Sequence, residues 1–381
     1  MNQSIKSHLE RCGSDLRIEF LRGLANWFIF LDHIPNNVVN LVTLRNFGFS
    51  GATDVFVFVA GYAAAIFFGR MAIERSFVVT ATRILARVWK LYAAYIVLFV
   101  IYVDVIGSTA AEYAAPEMFD EYNITGFVDH PARTLLHGLM LQAKPLNLDT
   151  LQLFIPLMTF FPLVLWLMLR RPNWTLAGSV LLYCAARQFD WSLPSFPSGT
   201  WYFNPFCWQL LYVLGAWFAL NGAELTRMLH GLRPLRAAAV GYLVLALGVA
   251  VVYHAPAYAK LMPDVGIGFG PITPDGRENL APARVLHLLA LAFVFSYFVP
   301  RDFAPLRWRL LQPIMKCGEQ WIAVFCIAVF LSFAGHLVLV TGPNSLLMQV
   351  LVSVAGLAIM TGVAYYISWS KRQDHHRLAF N

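Results

Sequence analysis

Residues 17–37 read RIEFLRGLANWFIFLDHIPNN. The stretch is apolar enough to enter a bilayer, yet it carries Glu19, Arg22, Asn26, Asp32 and His33. A charged group at the bilayer centre costs roughly 2.5–3.5 kcal/mol on insertion scales, so such residues turn to a protein interior or a wet cavity. Their spacing fits one helical face. Arg22 and His33 differ by about 20° in azimuth and about 16 Å in height at 100° and 1.5 Å per residue. Asn26 lies on the same stripe, and Glu19 sits one turn below Arg22. One helix is therefore expected to carry a polar ladder through most of the bilayer, ending in an imidazole. Asp32 points about 100° away from His33, where it can cap the helix or meet another.

The whole chain has the composition of its first span. It has 381 residues, of which 59% are hydrophobic and 13% charged, against about 25% charged in ordinary soluble domains. A polytopic membrane protein follows, with too little polar chain left for a sizeable soluble domain. The net charge of +7 does not imply a nucleic-acid partner, because the basic residues alternate with apolar spans instead of forming one face. The five cysteines, Cys12, Cys184, Cys207, Cys317 and Cys326, contain no CxxC pair, and neither a metal site nor a disulfide framework is read from them. Residues 1–16 lack the apolar core of a cleavable signal peptide, so the first span is expected to be retained.

About 20 mostly apolar residues cross the hydrocarbon core. On that length about ten spans are expected, at 17–37, 51–71, 86–106, 149–169, 174–189, 203–220, 235–253, 281–299, 321–340 and 346–369. The connections sort by charge. Lys6, Arg11 and Arg17 precede the first span, and Arg70, Arg75, Arg83, Arg87 and Lys90 follow the second. Later even-numbered connections carry Arg170 and Arg171, then Arg227, Arg233 and Arg236, then Arg301, Arg307, Arg309 and Lys316. Odd-numbered connections are poor in Lys and Arg, and the third holds Glu112, Glu117, Asp120, Glu121 and Asp129. Both termini are thus expected in the cytoplasm. The expected organisation is a single membrane-embedded all-α domain over 1–381, with a cytoplasmic segment at 1–16 and a cytoplasmic tail at 370–381. Residues 76–90 read either as an interfacial helix or as the solvated start of the third span. The external segments 107–148, 190–202 and 254–280 are expected to form a small cap.

This orientation brings polar groups from five spans to one external level: His33, Asp54, Asn204 with Gln209, Arg284 with His287, and His336. Apolar surroundings with a few convergent polar groups are where a site is expected. Each residue also has a purely structural reading. Glu19 and Arg22 can form an i,i+3 pair that aids packing. Arg284, His287 and His336 can hydrogen-bond between helices. Asp54 can orient His33 or cap the second span, and Arg45 can be a loop charge at the interface. Trp191, Trp201, Tyr202, Phe203 and Trp208 fall where an aromatic belt is expected, and the same rings can stack on sugar faces. Ala60, Gly61 and Ala63–Ala65 in the second span are small enough to let helices approach closely, and are expected to hold it against the first.

The Arg-x10-His pattern of Arg22 and His33 resembles the hallmark of acyltransferase family 3. A longer run of stretches resembles the glucan biosynthesis protein C (OpgC) family: FLRGLANWFIFLDHIP, TLRNFGFSGATDVFVFVAGY, WYFNPFCWQLLYVLGAW, ARVLHLLALA and VFCIAVFLSFAGH, spread over residues 20–336. The resemblance implies a multi-pass protein of the bacterial inner membrane that moves a succinyl group from cytoplasmic succinyl-CoA to glucose hydroxyls of osmoregulated periplasmic glucans. No permanently bound cofactor is implied. The partners are acyl-CoA, the glucan and the lipid bilayer.

On that footing His33 serves as general base, a role suited to imidazole, and Arg22 steadies the donor or the first span. An acyl-His33 intermediate stays open. Asn204, Gln209 or His336 would supply oxyanion donors, and Arg284, ahead of Arg45, would pair with the succinyl carboxylate. The pantetheine arm would run along Glu19, Asn26 and His33, and the basic face of Arg83, Arg87 and Lys90 would suit the phosphates of coenzyme A. Two other readings remain: an acetyl-CoA-dependent enzyme acting on another envelope glycan or lipid, and a glycan or lipid transporter. The second lacks the paired internal repeats that transporters commonly carry.

Overall fold

A computed structural model describes residues 5–7, 9, 15–112, 119–120, 122–124, 126–127, 130–143, 145, 147–254 and 276–379. Cys12, Arg11, Glu117, Glu121, Asp129 and most of the external segment 254–280 lie outside the described residues. Among those described the protein is all α, with no strand. Ten helices fall on the ten expected spans: α1 Leu16–Asp32, α2 Ala52–Glu74, α3 Phe77–Glu112, α5 Asp149–Arg170, α6 Pro172–Gln188, α7 Pro205–Gly231, α8 Arg233–His254, α9 Pro282–Phe298, α11 Trp321–Thr341 and α12 Leu346–Ala379. The short helices α4 Pro131–Leu139 and α10 Gln312–Glu319 lie in connections. Seven of the ten are long and apolar enough to cross a bilayer by length and composition. The other three, α1, α6 and α9, have 17 residues each.

Local chemistry sets the helix ends. The Asp15 carboxylate accepts from the Arg17 N–H at 3.2 Å to cap α1, one of the donors a helix start leaves unpaired. At the other end the His33 N–H closes on Ile29 O at 3.1 Å. The helix stops there and not at residue 37, because Ile34 precedes Pro35, which disfavours the α region. Asn36 then takes a positive φ of 55°, and Asn37 caps the 3₁₀ turn Val38–Val42 by accepting from Val39 N–H at 3.1 Å.

The third span also differs from expectation. Ser76 Oγ accepts from Val79 N–H at 3.2 Å, and α3 then runs unbroken for 36 residues, about 54 Å at 1.5 Å per residue. Residues 77–90 are therefore its first turns, with no separate interfacial helix.

The chain divides into two compact units. One contains 61–221 and 277–280, together with the described N-terminal residues. Its core stacks Phe68, Phe161 and Tyr212, with Phe161 and Tyr212 edge to face at 5.2 Å. A methyl added at Gly61 would sit 2.0 Å from Tyr212 O. Gly61, one of the small residues of α2, thus lies against the backbone of α7.

The other unit contains 13–60, 222–276 and 281–381. Its core gathers Phe30, Leu31 and Ile34 with Cys317, Val324, Ala328, Leu339, Met360 and Ala364. Two glycines set the α1–α10 contact. A methyl on Gly23 would lie 1.8 Å from Ile314 O, and one on Gly318 would lie 1.8 Å from Glu19 O. The two backbones touch at both points.

Candidate active site

The polar ladder of α1 lies wholly in the second unit. At its base Glu19 and Arg22 approach to 3.8 Å, and the Arg22 guanidinium lies 5.7 Å from the centre of the Trp321 ring, within cation–π range. One turn up, Asn26 is fully buried, and its amide donates to Trp321 O at 3.3 Å. Its carbonyl oxygen Oδ1 is buried and meets no hydrogen-bond donor among the described residues. His33 follows at the helix end, partly buried. His336 on α11 is 3% exposed, and the two histidines are brought to one level by their neighbours. The Ile34 side chain would come within 3.3 Å of a methyl on Gly335.

Residues 34–51 then form a strap pinned by buried polar contacts. Asn37 donates to Ser353 Oγ at 2.9 Å, and Val38 N–H to Gln349 Oε1 at 2.7 Å. Thr43 Oγ1 donates to Asp32 Oδ1 at 2.6 Å. Ser50 Oγ lies 2.6 Å from His287 Nδ1. Between these pins the apolar side chains of Val38, Leu41, Val42 and Phe47 are exposed. Asp32, turned away from the His33 face, is thus the anchor of the strap beside His33.

Asp54 and Arg284 close the strap. The Arg284 Nη2 donates to Asp54 Oδ2 at 2.6 Å and its Nε to Oδ1 at 3.3 Å, while Gly51 N–H also reaches Oδ2 at 2.8 Å. Both side chains are almost completely buried. Such a fork-on-fork pair is the strong form of a charge-assisted hydrogen bond. Arg284, expected as the cation for an acyl carboxylate, already has Asp54 as its counter-ion. Arg45 is placed differently. It reaches Asp32 only through Nε at 3.8 Å, with a third of its side chain exposed, and among the described residues its terminal nitrogens meet no acceptor.

Asn204, Gln209, Trp201 and Tyr202 belong to the first unit. Asn204 caps α7, accepting from Phe206 N–H at 3.0 Å and donating to Trp191 O at 2.6 Å and to Asn279 Oδ1 at 2.8 Å. Gln209 accepts from Ser179 Oγ at 2.7 Å and donates to Ser179 O at 2.9 Å and Phe206 O at 3.3 Å. Both amides are committed to the protein, which leaves neither a donor for the oxyanion role expected of them. Trp208 is fully buried and donates to Arg277 O at 2.8 Å. Trp201 is buried as well, whereas Trp191, Phe189 and Tyr202 are exposed. Among the described residues no cluster of three His, Cys, Asp or Glu side chains gathers to hold a metal ion.

Gly48, Ser50 and Thr43 were not singled out from the sequence, although the glycine-flanked run GFSG signals a close backbone approach. A family model described as OpgC protein matches residues 14–372. No curated protein and no solved structure matches the chain at a significant level.

Proposed function

The chain belongs to the OpgC protein family, and from that premise we propose that it moves a succinyl group from cytoplasmic succinyl-CoA to glucose hydroxyls of osmoregulated periplasmic glucans, in the bacterial inner membrane. Family membership and the apolar helices fit an OpgC-type membrane acyltransferase. The observation that carries the finer reading is the placement of His33 at the end of a polar ladder, with Asp32 and Arg45 beside it.

In this reading His33 takes the proton of a glucose hydroxyl as its oxygen attacks the thioester carbonyl. The tetrahedral intermediate collapses with loss of the coenzyme A thiolate, and His33 returns the proton to that sulfur. The unpartnered Asn26 Oδ1 would accept an amide N–H of the pantetheine arm, and Arg22 would hold the lower arm beside the Trp321 ring. Arg45 would meet the succinyl carboxylate with its uncommitted terminal nitrogens, since burying that carboxylate unpaired is expensive. The exposed rings of Phe189, Trp191 and Tyr202 would stack on glucose faces. Both termini would be cytoplasmic, and reporter fusions at residues 120 and 195 should read outside, those at 80, 230 and 310 inside.

The test is mass spectrometry of periplasmic glycans from cells with and without the protein. A succinyl increment that depends on the protein is expected. Glycan masses unchanged by a folded, membrane-inserted protein would overturn the reading.

A further inference from the structure

Residues 37–51 read NVVNLVTLRNFGFSG, and Arg45 is their single charge. A connection that runs through water turns its polar side chains outward and its apolar ones inward. Here the two sides are exchanged. Asn37, Thr43 and Ser50 are buried, whereas the exposed side chains, Val38, Leu41, Val42 and Phe47, are all apolar and between 48% and 59% exposed. Arg45 turns back to Asp32.

The main chain follows the same rule. An irregular segment is tolerated at membrane depth only where its polar groups find partners in the protein. Val38 N–H donates to Gln349 Oε1 at 2.7 Å, and Val39 N–H to Asn37 Oδ1 at 3.1 Å. The N–H groups of Asn40, Thr43, Asn46 and Phe47 each donate to the carbonyl three residues back at 3.0–3.2 Å. The Asn46 amide adds a bond to Asn40 O at 2.7 Å.

The depth of the strap can be read against α12, which is long and apolar enough to cross a bilayer. Towards its C-terminal end Tyr366 and Trp369 are exposed, as rings of an interfacial belt are. About 30 Å of helix, the thickness of the hydrocarbon core, leads from Tyr366 back to Leu346 at the first turn. Gln349 and Ser353 then lie about 5 and 10 Å inside the opposite boundary. The strap is pinned to these two residues, through Val38 N–H and through Asn37, whose amide donates to Ser353 Oγ at 2.9 Å. Beside them Leu347, Val350, Leu351 and Val354 of α12 are exposed. The apolar row of the strap therefore continues the lipid-facing surface of a span at the same depth.

We propose that the strap is embedded in the bilayer on the His33 side, with Val38, Leu41, Val42 and Phe47 against phospholipid acyl chains. It is the wall between lipid and the end of α1, since Thr43 Oγ1 holds Asp32 at 2.6 Å. This goes beyond acyl transfer and does not depend on it.

The test uses the full chain in nanodiscs of phosphatidylethanolamine and phosphatidylglycerol, with photoreactive p-benzoylphenylalanine in place of Val42 or of Phe47. The same residue in place of Leu351 on α12 is the reference. At Phe47 the substitution only extends an exposed ring. On irradiation the ketone takes a hydrogen from the nearest C–H bond and the two radicals join, so the adduct has the summed mass of both partners. Protein plus one phospholipid is the expected mass at both strap positions. The yield should lie within about threefold of that at Leu351, because all three side chains are exposed to a similar degree and apolar patches of this kind mark membrane contact. Covalent dimers at Val42 and Phe47 would assign the row to a second copy of the chain. Unmodified protein there, with lipid adducts at Leu351, would place the strap in water. Either result overturns the proposal.

Discussion

Arg284 on α9 and Asp54 at the start of α2 are 230 residues apart in sequence, yet they meet in a buried two-point contact at 2.6 and 3.3 Å. Removing one partner of such a pair leaves an uncompensated buried charge, a loss of about 3–5 kcal/mol. Arg284→Met should therefore destabilise the protein strongly, while the double variant Arg284→Met/Asp54→Asn should regain much of the loss. Thermal unfolding of detergent-solubilised protein provides the comparison. If the double variant falls by the sum of two independent losses, the two groups do not act as a pair.

His33→Ala should yield a folded, membrane-inserted protein whose transfer activity drops by at least about 10²-fold, the usual contribution of a positioned base. His33→Gln should behave alike, because an amide cannot take a proton. Full activity in a well-folded His33→Ala protein would end the proposed mechanism.

Among the described residues the terminal nitrogens of Arg45 meet no acceptor, so it should set acyl choice. Arg45→Met should lower the ratio of kcat/KM for succinyl-CoA over acetyl-CoA by about ten- to a hundredfold, a range reduced for partial exposure. Arg45→Lys should lower it less, losing the planar fork but keeping the charge. An unchanged ratio in Arg45→Met would remove Arg45 from carboxylate recognition.

The α1–α10 contact predicts a sharp contrast among glycines. Gly23→Ala and Gly318→Ala each place a methyl 1.8 Å from a carbonyl oxygen and should cost about 3 kcal/mol by overpacking. Their double variant should lose little more than either alone, since both open the same contact. Gly362→Ala on α12, where nothing lies within 4 Å, should be neutral or gain up to about 1 kcal/mol from helix propensity. Melting temperatures of the three single variants are enough to decide.

Much of the fold was legible because hydropathy over 20 residues is a local signal, and a run such as 321–340 can satisfy its backbone in a bilayer only as a helix. The end of α1 was misjudged by five residues, 32 against 37. The apolar count runs on through Ile34, whereas the chain stops at a steric effect of Pro35. Helix α10 escaped notice because it is 8 residues long and sits in a basic connection. Its one clue is Pro313 in the first turn.

The site was legible by residue type more than by partner. Arg284, His287 and Asp54 stood out as polar groups in apolar stretches. That Arg284 would take Asp54, and His287 would take Ser50, depends on packing of α9 against the start of α2 and the end of the strap, more than 200 residues away. Likewise Asn204 read as a substrate group, when its place immediately before Pro205 at the first turn of α7 is the position of a helix cap.

Surface connections ordinarily tolerate added or lost residues, but the segment from Ile34 to Gly51 cannot. Its buried polar positions, Asn37, Thr43 and Ser50, meet partners on three different helices, so each interval between them has a fixed length. One residue inserted after Leu41 would swing Thr43 off Asp32 or drag Ser50 from His287, and one deleted would do the same in the opposite sense. Relatives of this chain should therefore vary freely in which apolar side chain stands at 38, 41, 42 or 47, while gaps in their alignment should avoid the whole interval.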